Sequence, residues 1–378
     1  MSIRRLTAIS SIAVLAFAAC SGGGGSSAAP SAAESAAASA APSAAESAAA
    51  SSGSEGGCTV GMSWNNYQEE RWAKWDEPAI KAAIEAGGGT YIANDAKSSA
   101  ETQATNVENL ITQGANVVII LAEDDVAIKP SVTSAIGEGV PVIAYDRLIE
   151  DPGVLYITFD NIEVGRMQAR EIFKLVPEGK YAIIKGNEAD ANARFLRDGY
   201  EEIIGEAVKA GDIEIVGETF TDGWKPDVAQ TNMEQILTSA NNEVDAVLSE
   251  NDGMAGGVIA ALEAQGLAGD VPVSGQDGDQ AALNRVAIGT QTVDVWKDAR
   301  ELGKAAGEAA VALCANSDVS AVAGTAPFTT PGGNEVSSIL LEPLPILQEN
   351  LNEVLDAGWI TKEALCQGVT DTSVAACQ

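Results

Sequence analysis

The chain is predicted to be α/β, built as two doubly wound parallel-sheet lobes, and three observations carry that prediction. Short β-rich apolar runs alternate with helical patterns throughout residues 58–378, as expected where each strand is followed by a helix and the strands run parallel. Several runs are almost purely aliphatic, residues 117–121 (VVIIL) among them, which suits strands buried on both faces. The number of runs and the length of chain around them fit two lobes better than a closed barrel, which would also alternate.

In chain order the expected strands are residues 59–62, 117–121, 141–145, 155–159, 181–184, 213–216, 246–248, 271–273 and 292–296. The stretches between them have helical spacing. Ala100–Thr112, for example, places Val107, Leu110 and Ile111 on one face, the pattern of an amphipathic helix.

Ahead of this block, Arg4 and Arg5 precede an apolar run, residues 9–19, that is short for a bilayer span. It ends in Phe17-Ala18-Ala19-Cys20, and small residues at such a position mark an export signal. An ordinary secretory signal with an incidental cysteine is one reading. The segment also resembles the signal of a bacterial lipoprotein, which implies that residues 1–20 are the signal and that Cys20 carries lipid as the first residue of the mature protein. Residues 21–57 are almost wholly Ser, Ala, Gly, Pro and Glu, and the unit APSAAESAAAS occurs at 29–39 and again at 41–51. Such a segment buries too little apolar surface to offset its chain entropy, so it is expected to be a disordered tether.

The formal net charge is −32; Arg4 and Arg5 against Glu34, Glu46 and Glu55 leave −31 for the rest of the chain. Nucleic acid is therefore not an expected partner. The chain contains no histidine, which excludes Ser-His-Asp and Cys-His catalysis and the His-bearing zinc and iron sites, while carboxylate pairs and oxygen-ligand metal sites stay open. Besides Cys20 there are Cys58, Cys314, Cys366 and Cys377. An even set in an exported chain favours disulfides over thiol chemistry, with three pairings possible.

Open parallel sheets bind ligands beyond the carboxyl ends of their strands. There this chain places Asp146-Arg147, Asn187, Trp224, Asn251-Asp252, Gln276-Asp277 and Lys297. Each alone has a plainer reading: a strand-end Asp often caps the next helix, as Asp252 would for a helix from Gly253 onward. Together they suit a neutral sugar. A hydroxyl both donates and accepts, so carboxylates and amide oxygens take its proton while Arg, Lys and amide NH groups bond its oxygen. Trp72 and Trp224 can cover the CH face of a pyranose ring, or simply pack in a core. Phosphate is disfavoured, because no Gly-rich phosphate loop is present.

The motifs Glu70-Arg71-Trp72, Ala144-Tyr145-Asp146-Arg147, Phe159-Asp160-Asn161, Thr221-Asp222-Gly223-Trp224, Ser274-Gly275-Gln276-Asp277 and Gly289-Thr290-Gln291-Thr292, in this order, resemble the xylose-type branch of the periplasmic sugar-binding proteins of bacterial ABC importers. The resemblance implies a periplasmic binding protein type I fold, with 58–159 plus 297–339 forming lobe one and 160–296 plus 340–378 forming lobe two and a C-terminal tail. Three crossings, near residues 159–160, 296–297 and 340–341, would form the hinge. It also implies a ligand set of Arg71, Trp72, Asp146, Arg147, Asn192, Trp224, Asn251, Asp277 and Lys297. Arg194 joins that set with a surface ion pair as its alternative, and Asp190 stands as a further candidate in the same loop. The implied protein is a monomer without cofactor or metal, lipid-anchored outside the membrane, that binds D-xylose and delivers it to ABC permease subunits. In lobes of this kind helices run antiparallel to strands, so Cys58 at the start of the first strand would pair with Cys314 at the end of the helix beside it, leaving Cys366 for Cys377.

Residue chemistry alone supports only a neutral pyranose, so glucose, arabinose and galactose remain open. A sensory receptor feeding a membrane signalling protein would make the same contacts. An exported glycoside hydrolase would need two cooperating carboxylates and would turn its sugar over. A repressor with similar lobes is disfavoured, since an export signal and tether stand where a basic helix-turn-helix would be.

Overall fold

The computed structural model describes residues 57–378. Cys20 and the segments read as signal and tether, apart from Gly57, lie outside the described residues. The strands are β1 (Thr59–Trp64), β2 (Thr90–Asp95), β3 (Val117–Ile120), β4 (Val142–Tyr145), β5 (Val154–Phe159), β6 (Gly179–Lys185), β7 (Ile213–Phe220), β8 (Ala246–Ser249), β9 (Ser274–Gln276), β10 (Val293–Trp296), β11 (Ala326–Thr329), β12 (Glu335–Leu341) and β13 (Leu344–Ile346). The helices are α1 (Glu77–Ala86), α2 (Ala100–Thr112), α3 (Lys129–Gly137), α4 (Asn161–Leu175), α5 (Ala191–Ala210), α6 (Pro226–Ser239), α7 (Asp252–Ala264), α8 (Gln280–Ile288), α9 (Ala299–Ala315), α10 (Asn352–Asp356) and α11 (Lys362–Leu365).

One sheet has the order β11-β12-β5-β4-β3-β1-β2 and is parallel except for the β11–β12 pair. In the other lobe β7-β6-β8 and β13-β10-β9 are linked edge to edge by a parallel bridge between Val247 and Val273. The chain leaves the first sheet after Phe159, returns to it through α9 after Trp296, and passes from β12 to β13 after Leu341. This is the doubly wound, two-lobed α/β architecture read from the sequence.

The alternation of side chains along each strand sorts the first lobe's core into two layers. Val60, Met62, Val117, Ile119 and Ile143 face α1 and α9 through Ile80, Ile84, Leu302 and Ala306. Val118, Ile120, Val142 and Ala144 face α2 and α3 through Val107, Leu110, Val132 and Ala135. In the second lobe α4 and α5 approach so closely that a Cβ on Gly165 would stand 2.2 Å from the Leu196 carbonyl oxygen, a contact only glycine permits.

Four strands carry no clear sequence signal. β2 (TYIAND) is a half-exposed edge strand with polar residues at its end, β12 pairs with β5 from far along the chain, and β11 and β13 lie at sheet edges. The strand expected at 271–273 is displaced: Val271 and Val273 make only isolated bridges, and the ladder with β10 runs over Ser274–Gln276. Its polar sequence hides it from a hydrophobicity pattern.

Cys58 and Cys314 form a disulfide with Cα atoms 5.7 Å apart, and Cys366 and Cys377 form another at 5.4 Å, the pairing anticipated from lobe topology. No helix among the described residues is long and apolar enough to cross a membrane.

Candidate ligand-binding cleft

The carboxyl ends of strands from both lobes converge on one cavity, lined by Glu69, Trp72, Asp146, Arg147, Asp190, Asn192, Trp224, Asn251, Gln276, Asp277 and Lys297. Three of these residues sit on unusual backbone: Asp146 has φ 62°, Trp224 φ 59° and Asp277 φ 104°. Positive φ costs a residue with a side chain of order 1–3 kcal/mol, and such strain gathers at ligand sites because the surrounding structure holds it in place. Here the holders are visible. The Asp146 amide donates to the Ile157 carbonyl, and the Asp277 amide to the Val295 carbonyl at 3.1 Å.

Lobe one contributes a buried charge network. Arg71, 1 % exposed, donates to Asp76 through Nε at 3.0 Å and Nη2 at 2.7 Å. Its Nη1 lies 3.2 Å from Asp146 Oδ2 and 3.3 Å from Asp277 Oδ1 of the other lobe. Burial works against its charge, but Asp76, Asp146 and Asp277 together hold it firmly protonated. Arg71 is therefore behind the cavity wall and acts on the ligand's surroundings. Arg147 donates through Nη1 to the Ala122 carbonyl at 2.9 Å, and its Nε is 2.9 Å from Asp190 Oδ2.

Lobe two supplies the facing wall. Burial alone would raise the Asp277 carboxyl, yet Lys297, with Nζ 2.9 Å away, and Arg71 hold it below the ordinary value. Asn192 donates to the Asp146 carbonyl oxygen at 3.2 Å and to its Oδ1 at 3.3 Å. Asn251, rather than Asp252, caps α7: its Oδ1 accepts from the Met254 amide at 2.9 Å, so the group it can offer a ligand is its NH2. Gln276 Oε1 is a buried acceptor without a hydrogen-bond partner in the protein, and Asp146 Oδ2 has only its ion pair with Arg71; both can accept from a ligand's donors.

The two indoles face the cavity from opposite lobes, and each has its N–H committed. Trp72 Nε1 donates to Glu69 Oε2 at 2.8 Å and Trp224 Nε1 to Asp190 Oδ2 at 3.2 Å. Fixing the N–H fixes the ring, leaving the apolar faces for a ligand. Trp224 lies directly over Gly186, where a Cβ would come within 2.1 Å of the ring, and Arg71 covers Trp72 at 4.4 Å from the ring centroid.

Of the residues singled out from sequence, Trp72, Asp146, Arg147, Asn192, Trp224, Asn251, Asp277 and Lys297 line the cavity, with Arg71 immediately behind them. Arg194 does not reach it. Its guanidinium is half-exposed, pairs with Asp125 at 2.5 Å and donates to the Glu188 carbonyl at 2.8 Å. On α5, two residues of helical rotation set Arg194 on the face opposite Asn192. The structure adds Glu69, and it places Asp190 and the strand-end candidate Gln276 in the wall. Burial pushes the carboxyls of Glu69 and Asp190 up, against the pull of Arg147 on both. Among the described residues no group of three or more Asp, Glu or Cys is placed to hold a metal ion.

Four carboxyl groups and two cations line this cavity, with Arg71 behind them; two rigid indoles wall it, and donors and acceptors reach it from both lobes, a combination that defines a two-lobed solute-binding protein. The chain belongs to the periplasmic binding protein domain family, which matches residues 60–318. It is 37% identical over 306 residues to the D-xylose-binding periplasmic protein of Escherichia coli (strain K12), covering 81% of this chain and 91% of that one. It is 30% identical to the multiple sugar-binding periplasmic receptor of Rhizobium radiobacter, covering 79% and 90%. Among solved structures, the solute-binding protein of Clostridium phytofermentans with bound β-D-glucose superposes with a TM-score of 0.74 at 28% identity, covering 81% of this chain and 99% of that one.

Proposed function

We propose that this protein binds a neutral monosaccharide, D-xylose in the first place, by closing its lobes over the cleft, and delivers the sugar unchanged to an ABC permease. The observation that carries this reading is the distribution of contacts: Asp146 and Arg147 stand on one lobe, Trp224, Asn251 and Asp277 on the other, around one cavity. A ligand touching both sets stabilises the closed form over the open one, and only such differential contact can drive closure. Xylose is favoured by the relatives in Escherichia coli and Haemophilus influenzae, both D-xylose-binding periplasmic proteins. Lobe one is taken as 58–159 plus 297–339 and lobe two as 160–296 plus 340–378, with the bend at the three crossings. Calorimetry with D-xylose, glucose, arabinose and galactose, paired with small-angle scattering, is expected to give heat and compaction, greatest for xylose. No heat and no compaction with any of the four would refute the reading; tighter binding of another member would reassign the sugar.

Transport is favoured over sensing by the likeness to the ABC transporter solute-binding protein of Clostridium phytofermentans, although the receptor from Rhizobium radiobacter shows that a similar chain can bear the other name. A lipid on Cys20, after cleavage between Ala19 and Cys20, would hold the protein at the outer face of the membrane, with 21–57 giving the lobes reach. Cys20→Ser is expected to release the protein to the soluble fraction or leave its signal uncleaved. Membrane retention of a processed, lipid-free Cys20→Ser protein would count against the anchor.

A further inference from the structure

Behind the Asp277 wall lie two carboxyl groups that the ligand contacts do not use. Asp252, at the start of α7, and Asp294, in the middle of β10, are 1 % and 0 % exposed. Both accept from the same backbone amide, that of Gly278, at 3.1 Å each, and they lie within hydrogen-bonding reach of one another. Asp252 Oδ2 also accepts from the Asp279 amide at 3.0 Å, and its Oδ1 from Gln291 Nε2 at 2.8 Å. Asp294 Oδ2 is buried and has no partner in the protein. The space is tight, since a Cβ on Gly275 would stand 2.2 Å from Asp252 Oδ1.

Two carboxylates this close in a dry interior do not both ionise; they share one proton. The charges around them do not remove the difficulty. Asp277 and Asp279 face the pair from the turn after β9, and Asp279 is faced in turn by Glu69 and Glu70 of lobe one. From α8 the guanidinium of Arg285 is the cation nearby, but its bonds go to the Asp252 carbonyl oxygen at 2.8 Å and to Gln291. From β13, Ile346 stands opposite Asp294. Burial, with the neighbouring acids, pushes the Asp294 carboxyl up to about 8 and Asp252 upward as well.

What the pair holds is the turn Asp277-Gly278-Asp279, with both following amides pinned and Asp277 at its positive φ. We propose that Asp252 and Asp294 act as a proton-sharing pair that positions Asp277, so that sugar affinity falls when the shared proton leaves. A second negative charge would drive the two carboxylates apart and release the Gly278 amide from their common grip. The inference rests on the sugar-binding reading above, and it makes Asp252 and Asp294 positioning residues, since neither lines the cavity.

The test is D-xylose calorimetry from about pH 6 to about pH 9.5, a window spanning the titration of the pair. The parent protein is expected to lose about tenfold in affinity across it, with a midpoint near the Asp294 titration. Asp294→Asn, whose amide can donate to Asp252 without a titrating proton, is expected to bind at neutral pH and to show no such loss. Flat affinity in the parent, or the same loss in Asp294→Asn, would overturn the proposal. Infrared spectroscopy of the sugar-free protein gives a second reading. Other buried carboxyls such as Glu250 and Asp279 are pushed up as well, so the band is taken as the difference between parent and Asp294→Asn. A protonated-carboxyl stretch present at neutral pH in the parent and missing from the variant supports the pair, whereas no such difference refutes it. A parent that shows the band but binds no sugar refutes the function reading instead, and with it the role of the pair in affinity.

Discussion

Replacing Arg71 with Met is expected to damage stability and binding together, more than any change to a residue that touches the ligand. Arg71 is the common counter-ion of Asp76, Asp146 and Asp277, at 2.7 to 3.3 Å, with its guanidinium almost wholly out of water. Removing one partner of a buried ion pair typically costs 3–5 kcal/mol, because the remaining charge has lost both solvent and partner. Here three carboxylates lose it at once. Asp277 keeps Lys297, whereas Asp76 keeps only the Tyr145 hydroxyl at 2.5 Å. The predicted result is a loss of about 3–5 kcal/mol in denaturant unfolding and sugar binding weakened by roughly 30-fold to a thousandfold. Arg71→Lys, which retains the charge but not the forked geometry, is expected to fall between. A variant Arg71→Met that unfolds at the parent's denaturant midpoint would show that the network does not depend on this cation.

This expectation was not available from sequence, where Arg71 stood only as one ligand contact among others. Its role depends on Asp277, 206 positions away, and on a lobe-to-lobe approach that no local pattern encodes. The fold was far more legible. Val117–Ile120 and Val142–Tyr145 announce buried parallel strands by composition alone, and Ala100–Thr112 carries its own N-cap in Ser99, which accepts from the Thr102 amide. What stayed hidden were strands whose residues are polar, such as Ser274–Gln276, or whose partner is remote, such as β12 beside β5. Strand identity there comes from the neighbouring ladder rather than from propensity.

The cleft was legible in the same uneven way. Residues directly after an aliphatic run, Asp146 and Lys297 among them, are placed by the rule that ligands meet strand ends. Asp190 is harder to read because it does two things at once: its Oδ1 caps α5 through the Asn192 amide, while its Oδ2 holds Arg147 and Trp224. A sequence shows the cap and not the second face. Glu69 could have been suspected only from its spacing, three residues before Trp72, which is a contact distance on a helical turn. Arg194 misled because its charge suits a sugar, while its position on α5 turns it away.

Loss of the Cys58–Cys314 disulfide is expected to separate stability from binding, as the Arg71 substitution does not. The bond joins residues 256 apart in sequence, so it constrains nearly the whole described chain in the unfolded state. Loop-closure entropy over that separation corresponds to about 5 kcal/mol, an upper value because residual structure in the unfolded chain reduces it. Cys58 precedes β1 at its amino end, whereas the cleft is at the carboxyl ends of the strands, about 20 Å away for six residues of extended chain. Paired Cys58→Ser and Cys314→Ser substitutions should therefore lower the unfolding free energy by as much as about 5 kcal/mol while leaving xylose affinity within about twofold, because distant, unshared sites act nearly independently. The bond between Cys366 and Cys377 spans only 11 positions, and the same argument assigns it about 3 kcal/mol. Equilibrium unfolding of both double variants, each with and without D-xylose, checks the ranking. If the longer loop proves the less stabilising, chain entropy is not what Cys58–Cys314 contributes; if its loss weakens sugar binding more than tenfold, the bond shapes the cleft from the far end of the lobe.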